Sequence, residues 1–146
     1  MARVDPIVEA AIANLRAREG AKPVIDIRLL DFAQAVMPNY KRGKHLEKMA
    51  EELEAIERGE NDRVLMEAPP QHGKSLLGSV IFPAYYLGRH PGRRVILASY
   101  GGELAEGFGR QARNITLSSP YRRIFPRSGL SPDSRAVNLW HTEEGG

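Results

Sequence analysis

The residues with the clearest chemistry are Ala68-Pro69-Pro70-Gln71-His72-Gly73-Lys74-Ser75. Glycine followed directly by lysine and a hydroxyl residue, at the start of a helix, is an arrangement that holds phosphate. Gly73 has no side chain to keep the backbone from a phosphate. The first N–H groups of the following helix would point at the anion, aided by the helix dipole. Lys74 would reach the β- and γ-phosphates, and the Ser75 hydroxyl would hold Mg²⁺. Ala68 stands where the strict pattern has its first glycine. The competing explanation is a surface turn that happens to contain a lysine. Order along the chain favours the loop, and with it a nucleoside triphosphate such as ATP together with Mg.

Such a loop needs a strand before it and a helix after it. Val64-Leu65-Met66 is an apolar run of the length of a buried strand, and Leu76 to Ile81 carries an apolar helical pattern. Pro83 should kink that helix or start a new turn near Phe82. Val95-Ile96-Leu97-Ala98 is a second strand candidate, Gly101-Gly102 breaks it, and a helix is expected from Glu103 to about Thr116. Val137 to Trp140 is a possible last strand. Strand, helix, strand, helix implies an α/β fold, a parallel sheet of the P-loop NTPase type flanked by helices.

Upstream, three helices are expected. Asp5-Pro6 caps the first, whose stripe is Ile7, Val8, Ala11, Ile12 and Leu15, ending at Gly20. Asp26 caps the second, which bears Leu29, Leu30, Ala33 and Val36 and stops at Pro38. The third runs from about His45 to Arg58, with Leu46, Met49, Ala50, Leu53 and Ile56 on one face and Gly59 as its stop. The chain thus divides into an N-terminal helical segment, 1–60, and the first part of an ATPase domain, 61–146.

A complete NTPase needs a second carboxylate, normally at the end of an apolar strand, to hold the metal and position water. Val95–Ala98 runs into Ser99-Tyr100, and Leu139-Trp140 runs into His141-Thr142, so neither ends in an acid. Glu143 and Glu144 sit beside Gly145-Gly146 and read as solvated loop charges. No residue of the chain is assigned as catalytic, and ATP binding without appreciable turnover is the expectation.

With 146 residues the chain is long enough for one domain with a real core. Its 42% hydrophobic and 27% charged content excludes a disordered chain. There is neither an apolar run of membrane-spanning length nor a signal-peptide pattern at the start, so a cytoplasmic protein with no membrane partner is expected. The absence of cysteine excludes disulfides and thiolate metal sites. The net charge of +3 is uneven. Residues 1–83 carry 12 basic and 13 acidic side chains, whereas 84–146 carry 9 and 5, all nine basic ones being arginine. Arginine suits phosphate and nucleic acid, although scattered arginines also make an ordinary solvated face.

Several stretches together resemble the large terminase subunit of tailed bacteriophages, in a prophage-type branch. They are Tyr40 through His45, Arg63-Val64-Leu65, the loop 68–75, Phe82-Pro83-Ala84, Leu87-Gly88-Arg89, Ala98-Ser99-Tyr100, Leu104-Ala105, Phe125-Pro126 and Trp140-His141-Thr142. The resemblance implies the ATPase portion of a motor that drives double-stranded DNA into procapsids, with a nuclease following. It also implies a portal or procapsid, a small terminase subunit and a homo-oligomer as partners, in the host bacterial cytoplasm. The acidic strand and the nuclease would then lie beyond Gly146. Gln71 stands where members often carry arginine, so the loop offers a neutral donor there.

The family also places an adenine-contacting segment upstream of the loop. Tyr40 could then stack on the base and His45 contact it, or both could be packing and helix-start residues. His72 lies near the nucleotide without a catalytic role. Arg110 and Arg113 could face phosphate or DNA, or be solvated helix charges. Trp140, the only tryptophan, reads as core. Two other functions fit the same loop: a non-catalytic nucleotide-binding or assembly module, and another P-loop NTPase such as a helicase-like ATPase.

Overall fold

The computed structural model describes residues 26–133, 136 and 139–146. The expected first helix, Asp5 to Gly20, and residues 137 and 138 of the possible last strand lie outside them. Six α-helical segments and one π-turn follow in order. They are α1 (Leu29–Val36), α2 (Lys44–Glu57), α3 (Lys74–Leu76), the π-turn Leu77–Ile81, α4 (Phe82–Arg89), α5 (Gly102–Leu117) and α6 (Ser119–Ile124).

The expected parallel sheet is absent among the described residues. Among the described residues the only strand-type pairing is one isolated antiparallel bridge, Leu130 to Thr142. Val64–Met66 and Val95–Ala98 run through the structure as irregular chain. A strand exists through its partner, because its N–H and C=O groups must be matched by a neighbour's. The two runs are not paired with each other, and their side chains show it: Leu65 is 86% exposed and Ile96 91%. Leu139 is likewise exposed and not in a strand. The architecture is a helical assembly.

The helices themselves fall close to their expected places. In α2, Leu46, Met49, Ala50 and Leu53 are buried on one stripe, and Gly59 takes a left-handed φ of 76° just beyond its end. Helix α1 occupies the expected span, but Asp26 does not cap it. Its N-cap position is Arg28, which makes no side-chain cap bond. The cap comes from α2 instead: the Glu54 carboxylate accepts from the Leu29 backbone N–H at 2.6 Å and from Arg28 Nε at 2.7 Å. Pro83 falls in the first turn of α4, directly after the π-turn. Proline has no N–H for the i−4 carbonyl, and a one-turn π-bulge absorbs that loss without ending the helix.

The core is built around aromatic rings. Phe32 of α1 lies 5.6 Å from Tyr85, 5.5 Å from Phe125 and 6.1 Å from Tyr121, centroid to centroid. These tilted and edge-on pairings are the favoured ones. The Tyr85 hydroxyl donates to the Ile27 carbonyl at 2.9 Å. Ser128 donates its one hydroxyl hydrogen to the Leu87 carbonyl at 2.8 Å, so the Tyr121 hydroxyl donates to Ser128 Oγ at 3.0 Å. Gly88 makes the ring cluster possible, since a Cβ there would lie 2.3 Å from the Phe125 ring. At the end of α2, the buried Glu57 carboxylate accepts from Arg89 Nε at 2.7 Å and His90 Nε2 at 2.8 Å, tying α2 to α4. No helix of the described residues is long and apolar enough to cross a membrane.

Candidate functional site

The loop 68–75 connects the irregular run at 64–66 to the continuous helical stretch that opens with α3. Two of its residues adopt left-handed backbone. Gly73 has φ 78° and Gln71 has φ 63°, the one non-glycine residue with positive φ among the described residues. Such turns next to a helix start make a concave set of N–H groups. Gly73 is the N-cap of α3, and no side chain caps that end. The first N–H groups of the helix are therefore left to solvent or an anion.

Lys74 is half-buried and Ser75 exposed. Neither side chain has a hydrogen-bond or ion-pair partner among the described residues. A free ammonium and a free hydroxyl beside unpaired backbone donors fit a phosphate group with its Mg²⁺, with Ser75 Oγ as the ligand the protein would offer the metal. Among the described residues, no group of three or more His, Asp or Glu stands close enough to hold a metal by itself.

The loop is held by two histidines. His72 Nδ1 lies 2.8 Å from the Pro70 carbonyl, and His45 Nε2 lies 3.0 Å from the His72 carbonyl. A carbonyl can only accept, so both ring nitrogens carry hydrogen. The two rings meet edge to face at 5.6 Å. His45 sits in the first turn of α2, and the next residue, Leu46, packs against Gly73: a Cβ there would meet its methyls at 3.4 and 3.6 Å. Ala68 packs against the core, whereas Pro69, Pro70, Gln71 and His72 are exposed.

The remaining expected site residues are apart from this group. Tyr40 belongs to the buried core, its hydroxyl lacks a partner, and burial raises its pKa above the ordinary tyrosine value. Arg110 is exposed on α5, and Arg113, one turn further, is half-buried with its Nε unpaired. A cleft of about 260 Å³ lies between residues 94–97, α4, α5 and Trp140, and none of the loop residues lines it. Trp140 is half-buried in that wall, not in the core.

Sequence reasoning passed over Glu54, Glu57 and Gly43. The two acids had a signal: they follow Ala50 and Leu53 by four residues, which sets them in register with the apolar stripe of α2. An acid at such a position must be paired if it is buried. Gly43 had none until the fold placed it under the His45 ring, where a Cβ would lie 2.9 Å from Cε1.

Residues 65–142 match the family model of the N-terminal region of T4likevirus-type terminase large subunits. No curated protein and no solved structure gives a match. The matched span takes in the whole loop, all of α3 to α6 and the Leu130–Thr142 bridge. It covers more than half of the 146 residues, and the chain belongs to the large-terminase-subunit family of phage DNA packaging.

Proposed function

We propose that the loop 68–75 binds the phosphates of ATP with Mg²⁺, and that the chain is the nucleotide-binding part of a motor that translocates double-stranded DNA. The observation that carries this is the pair of left-handed residues, Gln71 and Gly73, turning the chain into an uncapped helix start beside a free Lys74 and Ser75. Backbone N–H groups there meet the phosphate oxygens, and Lys74 places its charge on the β/γ end. Mg²⁺, held by Ser75, supplies neutralisation of the phosphate oxygens when bound. Gln71, exposed at the crest of the loop, contributes a neutral amide donor. Arg110 and Arg113 on α5 are the cations we assign to phosphate or DNA. Portal or procapsid, the small terminase subunit and further copies of the chain are the partners that membership of the family suggests.

Titration with a fluorescent ATP analogue tests this directly. The parent chain binds in a Mg²⁺-dependent way, and Lys74→Ala abolishes binding because it removes the cation assigned to the β/γ-phosphates. Ser75→Ala retains some binding and loses its Mg²⁺ dependence. If Lys74→Ala binds like the parent, the loop is not the phosphate site.

A further inference from the structure

Gln71 poses a physical problem. A side chain in the left-handed region is strained, and such a residue persists only where its surroundings over-determine it. The residue that follows Gln71 is His72, and its ring Nδ1 and its carbonyl are both tied down. Its ring donates to Pro70 O, on one side of Gln71, and its carbonyl accepts from His45 Nε2, on the other. His45 comes from a different helix, 27 residues away in the chain. Its bond is therefore the tertiary contact that fixes the crest of the loop from outside.

We propose that His45 is a positioning residue that braces the phosphate loop in its anion-ready shape, an inference that rests on the phosphate reading of residues 68–75. Three features at the start of α2 build the brace. His45 holds the loop carbonyl, Leu46 packs beneath Gly73, and Gly43 leaves space for the imidazole. Gly43 has φ −148°, an ordinary extended value, so its lack of a side chain matters for the ring and not for the backbone. The His45 nitrogen that faces the loop is already committed to the His72 carbonyl. A role in gripping the base through that nitrogen would require breaking the bond, whereas the brace uses it as it stands. Holding the loop in place before the anion arrives removes an ordering cost from binding.

The two roles separate by using a ligand without a base. Affinities of the 146-residue chain for Mg²⁺-tripolyphosphate and for Mg²⁺-ATP are measured by calorimetry in the parent, His45→Ala and His45→Gln. His45→Ala is expected to weaken both ligands by the same factor, roughly three- to tenfold, the worth of one net hydrogen bond. His45→Gln, whose amide nitrogen can stand near the Nε2 position, recovers most of the loss. Gly43→Ala, which displaces the ring while keeping the histidine, weakens both ligands equally as well, and it keeps the test open if His45→Ala does not fold. A parent that binds both ligands, with His45→Ala and Gly43→Ala binding them equally well, overturns the brace and leaves the phosphate site standing. Loss of ATP with tripolyphosphate unchanged also overturns it, since His45 would then act on the base. A parent that binds neither ligand brings down the phosphate reading and the brace together.

Discussion

Glu54 is a buried charge that links two helices, and Glu54→Ala is the substitution that tests its worth. Glu54 is 4% exposed, and its carboxylate touches two donors of unequal worth. The Arg28 side chain is 64% exposed, so that ion pair resembles a surface pair and contributes at most ~1 kcal/mol. The Leu29 backbone N–H is different. It belongs to the first residue of α1, whose side chain is fully buried, and no intrahelical carbonyl can reach it. Leaving such a donor unsatisfied costs ~1–3 kcal/mol, and removing a negative charge from a helix start adds ~0.3–1 kcal/mol.

The sum for Glu54→Ala is about 1.3–5 kcal/mol, with a further contribution from the lost side-chain volume. Glu54→Gln keeps an acceptor but loses the charge assistance, so roughly half that loss is expected. Arg28→Ala should cost no more than ~1 kcal/mol. Urea unfolding of the three variants, followed by circular dichroism, gives the ordering. If Arg28→Ala costs as much as Glu54→Ala, the ion pair and not the trans-helix cap is the source of stability. If Glu54→Ala unfolds at the parent's midpoint, the cap contributes nothing and α1 is held by its apolar face alone.

Two more predictions concern the core. Gly88→Ala drives a methyl into the Phe125 ring, so a loss of ~1–3 kcal/mol is expected despite alanine's better helix propensity, and Phe125→Leu in the same chain should return part of it; thermal melts of the single and double variants decide. Burial pushes the Tyr40, Tyr85 and Tyr121 hydroxyls above their ordinary pKa of 10, Tyr121 to about 12. A raised folded-state pKa means that stability is intact below pH 10 and falls as pH climbs from there through the raised values, because the unfolded chain ionises first. A stability that stays flat through that window in alkaline urea melts contradicts the buried, protonated tyrosines.

Helices were legible in the sequence because each carries its own evidence. The stripe Leu46, Met49, Ala50, Leu53 recurs at helical spacing within one segment, and Gly59 stops it. The same is true of the loop: Gly73 is left-handed at the start of the helix that Lys74 opens. A sheet carries no such local evidence. Val95-Ile96-Leu97-Ala98 has the composition of a buried strand, but composition cannot supply the neighbouring backbone that would pair it, and Ile96 stands in solvent. The cap of α1 was illegible for a related reason. Asp26 is the nearest acid ahead of the helix in sequence, whereas the acid that reaches the Leu29 N–H is Glu54, 25 residues on. Local rules find partners within one turn of helix, and the energetically important partner here comes from another helix.

Helix α2 gathers these long-range contacts into one element. Its first turn holds the loop through His45 and supports Gly73 through Leu46; its third turn caps α1 through Glu54; its end holds α4 through Glu57 with Arg89 and His90. The stretch from α3 to α4 leaves the loop and ends at Arg89, so α2 grips the loop at one end of that stretch and its last turn at the other. A left-handed residue such as Gln71 costs of order 1–3 kcal/mol, more than one exposed hydrogen bond returns. The loop conformation is therefore held by the two histidine bonds and the Leu46 packing acting together on a helix that is itself anchored at Glu54 and Glu57. It follows that disturbing the buried anchors should loosen the loop without touching it. Loop amides at Gln71, His72 and Gly73 are expected to exchange hydrogen faster in Glu57→Gln than in the parent, in a chain that still melts cooperatively. Unchanged exchange there would mean that the loop is held without help from the Glu57 anchor at the far end of α2.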